Sequence, residues 1–121
     1  MDTPKYEAGP LLQKSFAFAV RMIKCCRHLQ ATEREFVVSK QLVRSATSIG
    51  ANAEEATGGI SMADFTSKIS IAYKEARETS YWLRLLHASG YLAEKLFLSL
   101  HDDYQQLCRI LYSILRSSGR A

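Results

Sequence analysis

Proline and glycine are scarce in this chain: two prolines and six glycines in 121 residues. Both prolines, Pro4 and Pro10, lie within the first ten positions, so from Leu11 onward no residue interrupts a helix by removing an amide donor. Cysteine is also short, and the count is odd. Cys25 and Cys26 are adjacent and face different sides of a helix, and Cys108 stands alone. Such a set closes no disulfide framework; it fits reduced, mostly buried thiols in a cytoplasmic protein. His28, His87 and His101 lie far apart and no Cys/His/Asp spacing repeats, which argues against a metal centre, and no cofactor is expected. Apolar runs fall well short of the roughly 20 residues needed to cross a bilayer. Met1–Pro10 carries two acidic residues and no apolar stretch of the signal-peptide kind. The expectation is a soluble cytoplasmic protein with no membrane partner.

Charge of one sign is not dominant either. Sixteen Lys and Arg against twelve Asp and Glu leave a net +4. That balance permits contact with nucleic acid without requiring it. Arg109, Arg116 and Arg120 supply part of the excess and read as favourable partners of a C-terminal helix dipole.

What is abundant is apolar residues at helical spacing. They make up 47% of a chain of single-domain length. The whole of 1–121 therefore reads as one all-α domain, with helices over roughly 10–29, 33–57, 62–89 and 100–117. The first helix has Leu12, Phe16, Ala19, Ile23 and Cys26 as its stripe, with Phe18 and Met22 widening it, and Pro10 suits its first position. In the second, Thr32 and Glu35 form a capping box. Its seam is Val38, Leu42, Ala46, Ile49, Ala53 and Ala56, with Gly50 marking a close helix approach. Gly58-Gly59 stops it.

Ser61 and Asp64 then start the third helix, with Ile60 placed to staple onto Phe65. Its seam is Phe65, Ile69, Ala72, Ala76, Thr79, Leu83 and Leu86. Ser99 and Asp102 offer a box for the fourth, leaving Tyr91–Leu98 as loop or a separate turn. Short joins between consecutive helices imply an up-down-up-down antiparallel four-helix bundle.

The polar residues that remain carry no reactive constellation. Glu54 and Glu55 diverge around the helix, and Glu75 and Glu78 have no matching His. No serine has a base at a recognisable spacing, so the chain reads as a non-enzyme. Arg44 and Glu78 read as a solvent or intersubunit ion pair, with a ligand contact as the alternative. Ile71, Trp82 and Leu85 interrupt what should be a wet face and point to self-association. The basic residues Lys14, Arg21 and Lys24 on the first helix, and Lys74, Arg77 and Arg84 on the third, are the candidate nucleic-acid contacts.

The run Ser39-Lys-Gln-Leu-Val-Arg-Ser-Ala-Thr-Ser-Ile-Gly-Ala-Asn-Ala-Glu-Glu-Ala56, followed by Asp64-Phe65 and Ile71-Ala-Tyr-Lys-Glu-Ala-Arg-Glu-Thr79, resembles the four-helix bundle proteins encoded in intervening sequences of bacterial 23S ribosomal RNA. Tyr81-Trp-Leu-Arg-Leu-Leu86 and Gly90-Tyr-Leu92 extend the likeness. That family is also similar to the accessory variability protein of diversity-generating retroelements. The resemblance implies a homo-oligomer, most often a pentamer, with a basic surface for RNA or DNA and no enzymatic activity. It also marks Arg44, Ser48, Asn52 and Glu55 as characteristic positions, to which Glu78 and Trp82 are added as structural or interface residues. The expected function is backbone-directed nucleic-acid binding. A scaffold that recruits a protein partner through Trp82 and Leu85 is the alternative.

Overall fold

The computed structural model describes residues 5–118, and the expectations for Met1–Pro4 and for Arg120 lie outside them. Among the described residues there are four helices: α1 (Lys5–Ala31), α2 (Val37–Thr57), α3 (Met62–Ala88) and α4 (Glu94–Ser117). Each packs on the next, α1 closes against α4, and the backbones of the diagonal pairs are not neighbours. Cross-helix bonds fix the directions. Gln30 bonds Ser39 at the α1–α2 turn, while α1 Ser15 lies beside α2 Gly50. Thr79 bonds Ser45, Ser80 bonds His101, and Lys14 bonds Gln106. Every neighbouring pair is therefore antiparallel, and the chain is an all-α up-down-up-down bundle.

The α2 and α3 seams enter the core as their spacing predicts. Leu42, Ala46, Ile49, Ala53 and Ala56 face Phe65, Ile69, Ala72, Ala76, Thr79, Leu83 and Leu86, all buried. Small side chains on both helices let the backbones approach, and the one buried polar contact between the seams, Thr79 Oγ1 to Ser45 Oγ at 2.9 Å, is satisfied.

In α1 the stripe is rotated from the expected one. Leu11, Ser15, Phe18, Met22, Cys26 and Leu29 are buried, whereas Phe16 is 70% and Ile23 43% exposed. Both sets have helical spacing, and packing decides between them. A Cβ at Gly50 would lie 3.3 Å from Ser15 Oγ, so α2 is cut away where Ser15 enters. Setting Ser15 against α2 in turn brings Phe18 and Met22 inward.

The helix ends correct several expectations. α1 begins at Lys5 and carries Pro10 inside it. It stands in the second turn, where little helix precedes the interruption. Thr32 stays with α1, its amide donating to the His28 carbonyl at 2.8 Å, so the Thr32–Glu35 box does not form. Arg34 turns the chain in the left-handed region, φ 58°.

At the third helix the Ser61 hydroxyl accepts from the Asp64 amide at 3.0 Å, as expected. Ile60 is 91% exposed, so it staples nothing. Gly59 is needed at that turn: a Cβ there would meet Asp64 Oδ2 at 2.9 Å and the Ala56 carbonyl at 3.1 Å. α4 begins at Glu94, after a turn through Gly90 at φ 87°. Ser99 lies within α4 and receives Arg21 at 3.0 Å instead of capping.

Glu35 still caps α2, by a different route. Its carboxylate accepts from the amides of Val37, Val38 and Ser39 at 3.1, 2.9 and 2.7 Å. Burial pushes the Glu35 carboxyl up, but these amide bonds outweigh it and hold the group below its ordinary value of 4.5. A depressed carboxylate stabilises the fold above its unfolded pKa, and that contribution is lost as pH falls through the folded value. Glu35→Gln is expected to cost about 1–3 kcal/mol at neutral pH. Urea denaturation at pH 7 and below 4 checks it: the gap between the two proteins should shrink on acidification.

Candidate nucleic-acid interface

The six basic candidates fall into two groups on different sides of the bundle. α1 and α3 are diagonal in the bundle, so Lys14, Arg21 and Lys24 belong to a different side from Lys74, Arg77 and Arg84. The α1 group is also partly engaged. Arg21 pairs with Asp103 at 2.5 Å and Lys14 donates to Gln106 at 2.9 Å. Lys24 is exposed beside Cys25, His28 and Leu96.

The α3 group gains partners from α4. Arg77 and Arg84 are seven residues apart, and so are Arg109 and Arg116. Seven residues are nearly two turns, about 10 Å, which returns each pair to one helix face. The two faces flank the α3–α4 groove. Tyr73, Cys108, Arg109, Tyr112, Ser113, Arg116 and Ser117 line a cleft of about 680 Å³ there. Arg77 sits over the Tyr73 ring at 6.0 Å, and the Tyr73 and Tyr112 rings lie 6.0 Å apart.

Further along, Arg84 donates to Ser80 at 3.3 Å and lies 6.0 Å over the Tyr81 ring. Among the described residues, none of Lys74, Arg77, Arg84, Arg109 and Arg116 has a carboxylate within ion-pair distance, and no carboxylate lines the cleft. His101, 3.2 Å from Ser80, is held below its ordinary pKa by burial and then by Arg84. Both effects disfavour the charged imidazole, so the positive charge of this groove comes mainly from its arginines and Lys74.

Arg109 and Arg116 were legible as members of this surface through their seven-residue spacing. Reading them as dipole partners hid it, because the pairing of α4 with α3 is not a property of either helix alone.

The characteristic α2 residues make a polar ladder over the α2–α3 seam, inside one chain. Arg44 contacts Glu75 at 3.2 Å and also Glu78. Glu78 in turn accepts from Trp82 Nε1 at 2.9 Å. Asn52 donates to the Ser48 carbonyl and hydroxyl, and Lys68 pairs with Glu55 at 3.0 Å. Arg44 and Glu55 are exposed, so solvent screens each pair; together they favour one register of α2 on α3.

Across the bundle from the basic groove, the α1–α2 side carries an apolar strip bordered by Thr47 and Glu54. Leu12, Phe16, Ala19, Gly50 and Ala51 line a shallow groove there, and Ile23 and Val20 continue the exposed ridge of Phe16. No group of three or more His, Cys, Asp or Glu among the described residues could hold a metal ion. Cys25 and Cys26 are buried; burial first, then Cys25 and Glu35, push the Cys26 thiol up to about 12. No described helix is long and apolar enough to cross a membrane.

Residues 10–113 match the family model of the 23S rRNA-intervening sequence protein. The chain belongs to this family. A crystal structure of a Bacteroides thetaiotaomicron protein from the S23 ribosomal protein family, described as of unknown function, is 42% identical. The alignment covers 91% of this chain and 98% of that one, with a TM-score of 0.89. No curated protein matches. The family match thus spans most of the bundle and ends at Ser113 in α4, short of Arg116 and Ser117.

Proposed function

We propose that this chain is a non-enzymatic, self-associating accessory protein that binds the sugar–phosphate backbone of RNA or DNA along the α3–α4 groove. One observation carries the reading: four arginines at matched seven-residue spacing follow the α3–α4 groove, and two of them, Arg109 and Arg116, line a tyrosine-walled cleft free of carboxylates among the described residues. Guanidinium groups on antiparallel neighbours present donors in a row, which suits a polyanion better than a single small anion. Aromatic rings between them suit the bases of a strand. The family's tie to 23S rRNA intervening sequences supports RNA as the polymer. The exposed Phe16 ridge supports self-association, and the number five comes from the resemblance to ring-forming relatives.

Four phosphate contacts on a single strand predict a slope of about −3 in log affinity against log salt, since each contributes about −0.7. Fluorescence anisotropy of a labelled oligonucleotide across a salt series measures it. A flat response, or no binding at low salt, rejects the reading. It also favours the scaffold alternative, in which Trp82 and Leu85 recruit a protein.

A further inference from the structure

We infer that the cleft beside Tyr73 and Tyr112 is a pocket for one unstacked nucleobase, whose phosphate rests on Arg109 and Arg116. This rests on the backbone-binding reading and adds a recognition element to it. The volume, about 680 Å³, falls in the range of small-ligand clefts. Its walls are of three kinds. Tyr73 and Tyr112 are inclined at 42° with centroids 6.0 Å apart, so the rings are not stacked on one another.

Tyr112 is 42% exposed and offers its ring to a planar ligand, while Arg77 already covers Tyr73. Ser113, Ser117 and Cys108 supply short polar groups suited to base edges. Arg109 and Arg116, one helix face apart by two turns, supply the positive charge. An apolar ligand would leave both guanidinium groups without a partner, and a bare phosphate would leave the Tyr112 ring unused. A base joined to its phosphate engages all three.

A base inside a duplex is stacked on both sides and cannot enter, so the pocket confers preference for single strands. The test compares a single-stranded oligonucleotide with a duplex of the same sequence. Tyr112→Ala is expected to weaken single-strand binding about tenfold or more and leave duplex binding unchanged. Tyr112→Phe, which keeps the ring, retains the single-strand affinity. Arg109→Glu weakens both. If Tyr112→Ala changes single-strand and duplex binding equally, or changes neither, the base pocket is rejected; loss of both on Arg109→Glu then leaves the backbone reading standing.

A second readout needs no variant. Cys25 and Cys26 are buried, so Cys108 is the reachable thiol. Burial raises its pKa, partly offset by Tyr104 and Arg77, so alkylation is run at alkaline pH. Single-stranded oligonucleotide should slow Cys108 labelling at least fivefold and duplex should not. Equal rates with and without the single strand overturn the inference.

Discussion

Reversing two groove charges together, Arg77→Glu with Arg109→Glu, is expected to weaken nucleic-acid binding by about two orders of magnitude at low salt. The size follows from counterion release. At about 0.05 M salt, a slope of about 0.7 per phosphate makes each single-strand contact worth about tenfold. Removing two contacts gives about a hundredfold, and the introduced carboxylates add repulsion. The salt slope should fall by about 1.4 units as well. Arg77 and Arg109 are exposed and make no ion pair among the described residues, so the fold should be unaffected by circular dichroism.

The same double reversal at Lys14 and Arg21 has a different expected outcome. Arg21 is tied to Asp103 and Ser99, so a glutamate there faces a carboxylate and costs under about 1 kcal/mol of stability. Binding should change little. Loss of affinity from the α1 pair with none from the groove pair would move the proposed interface to the other side of the bundle.

The second large effect concerns assembly. If the chain self-associates as proposed, Phe16→Glu is expected to convert the oligomer into a folded monomer of about 13.6 kDa, read by light scattering at two protein concentrations. Phe16 is 70% exposed within one chain, so the substitution leaves the core intact and helical content should not fall. In an interface the same ring is worth about 1.5–3 kcal/mol of buried apolar surface. A carboxylate in its place adds the cost of desolvating an unpaired charge. A ring of copies repeats that loss at every joint. A monomeric mass for the unmodified chain would reject self-association, and an unchanged oligomer for Phe16→Glu would place the contact elsewhere.

Some of this structure was readable from side-chain pattern and some was not, for physical reasons. The α2–α3 pair was legible because alanine, leucine and isoleucine recur on one face only, and Gly58-Gly59 leaves no room for other than a hairpin. α1 was not, because Phe16 and Ile23 on one side compete with Phe18 and Met22 on the other. Only the fit of Ser15 against Gly50 separates the two settings.

The helix starts show a similar limit. Glu35 was visible as a capping residue, but its carboxylate reaches forward to three amides of α2 instead of back to Thr32. At α4 the Ser99–Asp102 pattern is present and unused, because the helix already begins at Glu94 and Ser99 lies inside it, where its hydroxyl accepts from Arg21. The grouping of the basic residues was not legible for one reason: helix periodicity gives the face of each arginine, not which helix stands beside it.

The square arrangement places the Phe16 ridge and the arginine groove on opposite sides of each bundle, α1–α2 against α3–α4. Copies joined along the ridge would each keep a groove turned outward. One polymer reaching several grooves would gain avidity, since after the first contact the next is governed by effective concentration. Modest affinity at a single groove would then suffice for tight capture of long strands, while short oligonucleotides would exchange quickly.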